Sequence, residues 1–373
     1  MHRSLSNAYD LGWRPLTGRP RQRLDDILAS LQQAERGVVF ATSAVMADKR
    51  ITVECDEKTL FPDFFTMFGG PEPVAGRLSI PSDMHIEVHT RARSDFGWFR
   101  MTGSDDLPVD GRELNFAIEL EQGQFEVLET NEPGWRSIAF RGSDVPAFAF
   151  RGRDCLFALD SRWRLCIIWY LFWRLLRIRS DAIFFHASAL GIFGEGTIFV
   201  GPAGGGKSTT ALALAARGHN FLSDEIAAYV PARGELLPFR RPVGIKRGPR
   251  SSAVERGLTR EHAERIGQDG FARVDIGKLF AVEEPKPFPL RRLVFLRGFR
   301  EQPSIRRITP GRAELVELQP LMSSFLNESH SRRIFELTQL LSSGKVYQLH
   351  PGDPDATAQH IEEFFACEKS LAS

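Results

Sequence analysis

Apolar and polar positions change places over short distances in the first part of this chain. From about Leu24 to Phe157, segments such as GVVFATSAV, ITVECD, GRLSI, MHIEVHTRA, GWFRM, LNFAIEL, QFEVLET, RSIAF and CLFAL are punctuated by Gly, Pro, Asp and Asn, the pattern of short strands joined by turns. Ahead of them, Arg21 to Arg36 places Leu24, Ile27, Leu28 and Leu31 at helical spacing, which predicts one amphipathic helix. The character changes near Ser161. There an apolar helix is predicted over Trp163 to Arg179, and strand and helix patterns alternate to the end, as in α/β folds. The expected organisation is therefore a β-rich N-terminal domain over 1–160 and an α/β domain over 161–373. Within the latter, Leu293–Leu296 and Val346–Leu349 read as strands, Ser331–Leu341 as a helix, and a last helix follows Pro354.

Leu165 to Trp173 (LCIIWYLFW) is nine apolar residues flanked by Arg164 and Arg174. A spanning helix needs roughly 20, so a buried helix and no membrane partner are expected. The N-terminal MHRSLSNAYDLGWRP has no apolar stretch of the secretory kind. With 373 residues, 42% hydrophobic and 25% charged, the composition is that of a globular chain and excludes disorder, collagen-like repeats and a disulfide mini-scaffold. Lys+Arg 48 against Asp+Glu 47 gives a net charge of +1, so no global field draws the protein to nucleic acid. Cys55, Cys155, Cys166 and Cys367 stand far apart with no CxxC pair, which fits a reducing, cytoplasmic setting.

Candidate chemistry concentrates at Gly201-Pro202-Ala203-Gly204-Gly205-Gly206-Lys207-Ser208, a GxxxxGK[ST] segment. An apolar strand, Thr197 to Val200, precedes it, and a helical pattern, Ser208 to Arg217, follows it, as the phosphate-loop motif requires. Glycines let the backbone turn its N–H groups inward as an anion nest, and the helix start adds its positive end. Lys207 is placed to reach the β- and γ-phosphates of ATP, Ser208 to ligate Mg²⁺, and Thr209 completes the nucleotide-binding set.

Two adjacent acids, Asp224 and Glu225, end the short apolar run after that helix. The helix carries the chain away by about 15 Å at 1.5 Å per residue, and a five-residue strand at about 3.3 Å per residue returns it. Asp224 and Glu225 are thus expected at the level of the phosphate loop, as a Mg²⁺ ligand and a general base. Upstream, Ala182 to Phe193 reads as a strand. A hairpin centred near Glu195 would set His186 opposite Gly204, where an imidazole can orient an acid or move a proton.

These motifs, in this order, resemble the C-terminal catalytic domain of HPr kinase/phosphorylase. His186-Ala-Ser, the glycine-rich turn, GPAGGGKST, ARGH and FLSDE carry the resemblance over about Asp181 to Tyr229. It implies a P-loop kinase fold of the HPr kinase/phosphoenolpyruvate carboxykinase type. It also implies active-site roles for His186 and Lys207, metal ligation by Ser208, and proton acceptance by Glu225 with Asp224 beside it. Members of that family assemble as hexamers, which would make this chain a homo-oligomer. The chain departs from the family in having Asp-Glu where two aspartates are usual. It also lacks the downstream acidic segment leading into Arg-Gly-Leu-Gly, whose nearest equivalent, Pro238 to Arg250, has no carboxylate. HPr as the substrate and phosphorolysis as a second activity are therefore not carried over.

Arg240, Arg241, Lys246, Arg247 and Arg250 crowd that same segment. Such a loop can hold phosphates, offset transition-state charge or receive an acidic substrate, and it can equally be a solvated loop. His85, Glu87 and His89 share one strand face by the period-two rule, and a polar, outward face is expected of them, with no further metal ligand in the local sequence. No GxSxG or HExxH occurs. The expected function is an ATP- and Mg²⁺-dependent kinase acting on a serine hydroxyl of a small protein, peptide or amino-acid-like acceptor. The β-rich half would recognise the acceptor or a partner. The alternative is a nucleotide-dependent regulatory or binding module. A carboxykinase would need His and Lys ligands for a second metal, and no such set stands out.

Overall fold

The computed structural model describes residues 23–34, 37–61, 64, 68–90, 95–102, 125–128, 132–152, 154–159, 163–245, 272–276, 280, 285–319, 322–323 and 330–371. The chain is mixed α/β with two large sheets, and it divides into two compact units between Arg179 and Ser180.

The first unit contains α1 (Leu24–Gln33), β1 (Phe40–Met46), β2 (Lys49–Cys55), β3 (Val74–Ala75), β4 (Met84–His89), β5 (Phe96–Thr102), β6 (Phe125–Leu128), β7 (Arg136–Phe140), β8 (Pro146–Arg151), β9 (Asp154–Ala158) and α2 (Trp163–Ile178). Among the described residues its strands form one sheet in the order β3-β1-β2-β4-β5-β9-β8-β7-β6. The β2–β4 pair is parallel and its neighbours β1–β2 and β4–β5 are antiparallel. The predicted strand LNFAIEL lies outside the described residues.

Alternation along the strands sends each face to a different helix. Leu24, Ile27, Leu28 and Leu31, the predicted apolar stripe of α1, are all buried against Trp98, Trp135, Ala149 and Leu156. No side chain of its own caps α1, and the carboxylate of Glu132 accepts from the Leu24 N–H at 2.9 Å instead, supplying an acceptor and a negative charge at the helix start. The alternate residues meet α2: Phe99 stacks on Tyr170 at 4.6 Å, and Phe148 lies 5.4 Å from Trp173 between ring centroids. Aromatic pairs of this kind contribute about 1 kcal/mol beyond the area they bury. These contacts correct the expected division at residue 160. The apolar helix that was to open the second domain instead completes the core of the first.

The second unit contains β10 (Ile183–Phe185), β11 (Ser188–Ile192), β12 (Glu195–Val200), α3 (Lys207–Ala216), β13 (Asn220–Ser223), β14 (Ala227–Val230), β15 (Glu235–Leu237), β16 (Val243–Ile245), β17 (Ala272–Val274), β18 (Phe288–Leu296), β19 (Ser304–Ile308), α4 (Arg312–Leu318), β20 (Met322–Ser323), α5 (His330–Ser343), β21 (Lys345–His350) and α6 (Pro354–Ser370). Among the described residues, the main sheet runs β13-β11-β12-β18-β15-β14-β10-β20, with β21 also on β18 and β19 on β21. Its centre, β12-β18-β21, is parallel. Phe199 points into a core shared with α3 and α6, while Ile198 and Val200 point into the opposite core, shared with α4 and α5. Helices thus cover both faces, which is why β12 and β18 read as nearly continuous apolar runs. Among the described residues, no helix is long and apolar enough to cross a membrane.

Two sequence expectations change here. The stretch from Ala182 to Phe193 is two strands, because β10 pairs with β14 and β20 whereas β11 pairs with β12 and β13. His186 sits in the break between them. The β11–β12 hairpin closes through Phe193 and Gly194, both at positive φ (52° and 83°), the backbone of a tight two-residue turn. Ile192 therefore faces Glu195 and Ser188 faces Phe199. Extended to His186, that register points at Gly201, three residues earlier than the expected Gly204.

Candidate active site

The β12 strand delivers the phosphate loop. At Gly201 the backbone passes so close to β18 that a Cβ would lie 3.0 Å from the Leu296 Cβ. At Gly206, the N-cap of α3, φ is +96°, a conformation that costs an L-residue roughly 1–2 kcal/mol. Gly201 is buried, Pro202, Ala203 and Gly204 are exposed, and Gly205, Gly206, Ser208 and Thr209 are half-buried. The loop thus presents its backbone at the start of α3. Lys207 is buried, and its ammonium donates to the carbonyls of Gly201 at 2.9 Å and Pro202 at 3.2 Å. Burial holds its pKa below the ordinary lysine value, against the opposing pull of Asp224 and Glu225.

The acids arrive by topology. Both β12 and β13 run antiparallel to the intervening β11, so they are parallel to each other and end at the same edge of the sheet. The segments after them, 201–206 and 224–226, consequently meet. Asp224 is 5% exposed, and its Oδ1 accepts from Ser208 Oγ at 3.0 Å and from Ser188 Oγ at 2.6 Å. Burial raises its pKa and the neighbouring Glu225 raises it further, while the two serine hydroxyls work in the other direction.

Glu225 follows with φ +66°, a left-handed backbone that a glutamate adopts at a cost of about 1 kcal/mol. Its exposed carboxylate lies 3.4 Å from Nη1 of the half-buried Arg241. His186 is exposed at its outer surface. Desolvation by the surrounding protein lowers its pKa below 6.5, the charge of Lys207 lowers it further, and Glu225 and Asp224 oppose both. His186 thus sits between β10 and β11, exposed, with the charges of Lys207, Glu225 and Asp224 acting on it.

No protein-family model matches the chain, and no curated protein matches it. Among solved structures, the chain is similar to the HPr(Ser) kinase/phosphatase from Coxiella burnetii, at 15% sequence identity and a TM-score of 0.25, over 50% of this chain and 98% of that chain. A superposition of that quality carries no weight for the site, whose chemistry stands on its own residues and distances.

Ser208 and Asp224 offer two hard oxygen donors already within hydrogen-bonding distance of each other, a donor set that fits Mg²⁺. Ser188 is a site residue to which sequence reasoning assigned no role. Its available signal was a polar residue opening an otherwise apolar strand, two positions after His186. Of the basic segment, Arg240 is engaged structurally, donating to the Phe221 carbonyl at 2.8 Å and to Asn220 Oδ1 at 3.3 Å. Arg241 faces Glu225, whereas Lys246, Arg247 and Arg250 lie outside the described residues.

Proposed function

We propose that the chain is an ATP- and Mg²⁺-dependent kinase that transfers the γ-phosphoryl group to a serine hydroxyl of a small protein, peptide or amino-acid-like acceptor. The observation that carries this reading is the buried Asp224 carboxylate held by Ser208 from the phosphate loop and by Ser188 from β11, with a second, exposed carboxylate next to it. A nucleotide-binding loop needs neither of these acids merely to hold phosphates, but a phosphotransferase needs both a metal ligand and a proton acceptor.

In this reading the loop N–H groups and the start of α3 hold the phosphate chain. The Lys207 ammonium leaves the Gly201 and Pro202 carbonyls for the β- and γ-phosphates. Ser208 and Asp224 would hold Mg²⁺, which would supply positive charge to offset that of the phosphates. Glu225 accepts the acceptor's hydroxyl proton as that oxygen bonds to the γ-phosphorus. The bond from the γ-phosphorus to the bridging oxygen breaks, and ADP leaves. His186, held toward its neutral form, orients the carboxylate or the hydroxyl, and Arg241 steadies Glu225 until an acceptor displaces it.

The test is incubation of the full chain with γ-labelled ATP, Mg²⁺ and serine-bearing peptides, with label on the peptide as the expected result. A second reading, a nucleotide-dependent binding module, draws on one observation: Glu225 is exposed and already engaged by Arg241. Clear ATP binding with no label transferred to any acceptor would favour it.

A further inference from the structure

The first unit carries a polar cluster that its strand pattern concealed. The face bearing His85, Glu87 and His89 is not an outward one: Glu87 is 8% exposed and the two histidines are half-buried. Sheet pairing explains why it holds more than its own strand supplies. In the parallel β2–β4 register Glu54 lies directly beside Glu87, so two carboxylates occupy neighbouring positions of one face. Glu54 is 2% exposed. Ligand atoms of Glu54, His85 and Glu87 all lie within 4.8 Å of one another.

Two polar atoms there, one on Glu54 and one on His85, lack a hydrogen bond from the protein. Glu54 Oε1 accepts from the Leu78 N–H at 3.3 Å, but its Oε2 is buried without a hydrogen bond, and so is Nε2 of His85. His85 Nε2 stands 3.4 Å from Glu54 Oε1. Arg77 approaches both carboxylates at 3.6 Å, beyond hydrogen-bonding distance, from a side chain that is 55% exposed. Two carboxylates thus stand side by side in a buried place, where like charges are costly. An imidazole lone pair and two carboxylates are also a ligand set of borderline divalent metals.

We propose that Glu54, His85 and Glu87 form a site for a divalent transition-metal ion of the Zn²⁺ class, with three protein ligands and a further position for water. The ion ties β2 to β4 and gives the orphaned Glu54 Oε2 and His85 Nε2 a partner. His89, 3.6 Å from Glu87 Oε2 and stacked on Trp98 at 4.9 Å, is the outer partner that orients the Glu87 carboxylate. This site belongs to the first unit and the phosphate loop to the second, and the proposal does not depend on the kinase reading.

The test titrates the full, chelator-stripped chain with ZnCl₂ in excess Mg²⁺, which occupies sites built only of oxygen. The expected result is one equivalent of tightly held Zn²⁺ and a raised melting temperature. Glu54→Gln and His85→Gln should each weaken binding by at least about tenfold, while Ser208→Ala leaves it unchanged. A measurement on the wild type guards against variants that fail to fold. The Co²⁺-loaded chain should show hyperfine-shifted imidazole proton signals. Absence of a stoichiometric Zn²⁺ equivalent in the folded wild type, or a Co²⁺ complex without imidazole ligation, overturns the proposal. So does Zn²⁺ binding that both ligand variants retain in full.

Discussion

The Ser208 hydroxyl donates to the Asp224 carboxylate across 3.0 Å, joining the first turn of the phosphate-loop helix to the end of a strand that is not its neighbour in the sheet. Burial makes this carboxylate costly to ionise, and the sign of its pH dependence follows. Its pKa is raised from 3.8, so the folded state binds the proton more tightly than the unfolded chain. Stability falls as pH rises from about 3.8 through that raised value.

Asp224→Asn keeps an acceptor for both serines and removes the charge. Metal-free protein with this change should melt at or above the wild-type temperature at pH 7, while phosphoryl transfer falls by at least about a hundredfold. Thermal melts in chelator and a transfer assay check the two halves separately.

Lys207 predicts a similar split. Among the described residues its ammonium bonds only backbone carbonyls of its own loop, in a place where burial disfavours its charge. Lys207→Met should therefore leave the melting temperature unchanged or raised, and weaken ATP binding by about a hundredfold or more. Calorimetric titration with ATP supplies the second number.

Much of this site was legible in the sequence because it is local. The phosphate-loop strand, its glycine turn, the helix of 207–216 and the returning strand occupy one contiguous stretch, and rise per residue sufficed to bring Asp224 back to Ser208. The α1 stripe was equally plain, since helical spacing is written in adjacent turns. Sheet partners are not local. Nothing near His186 told that Phe185 would pair with Ala227 and Met322 while Ser188 joined a different set of strands. The same holds for Glu54, thirty-three positions before Glu87 and beside it in space, and for Tyr170, whose ring found Phe99 rather than the domain that follows it.

His186 gives a proton-linkage prediction. Its pKa lies below 6.5 in the free protein, so the imidazole is mainly neutral at and above that pH. Phosphates bound beside it favour the protonated form. ATP binding just below pH 6.5 should therefore take up protons, seen as a dependence of the binding enthalpy on buffer ionisation heat. The His186→Asn protein should show less uptake. Equal uptake by both proteins would remove His186 from the phosphate site.

Gly206→Ala forces a side chain onto a backbone at φ +96° with its Cβ 3.4 Å from the Phe299 ring. A loss of about 1–2 kcal/mol in stability and about a tenfold weaker ATP complex are expected, measured by denaturant unfolding and ATP titration.

The sharpest measurement compares Glu225→Gln with the wild type in two assays on the same preparation, ATP affinity and transfer of the γ-phosphoryl group to a serine peptide that the wild type labels. A glutamine keeps the size of the side chain and cannot accept the proton. Affinity within a few-fold of wild type with transfer abolished is the predicted result; transfer at the wild-type rate would contradict a catalytic role for this carboxylate.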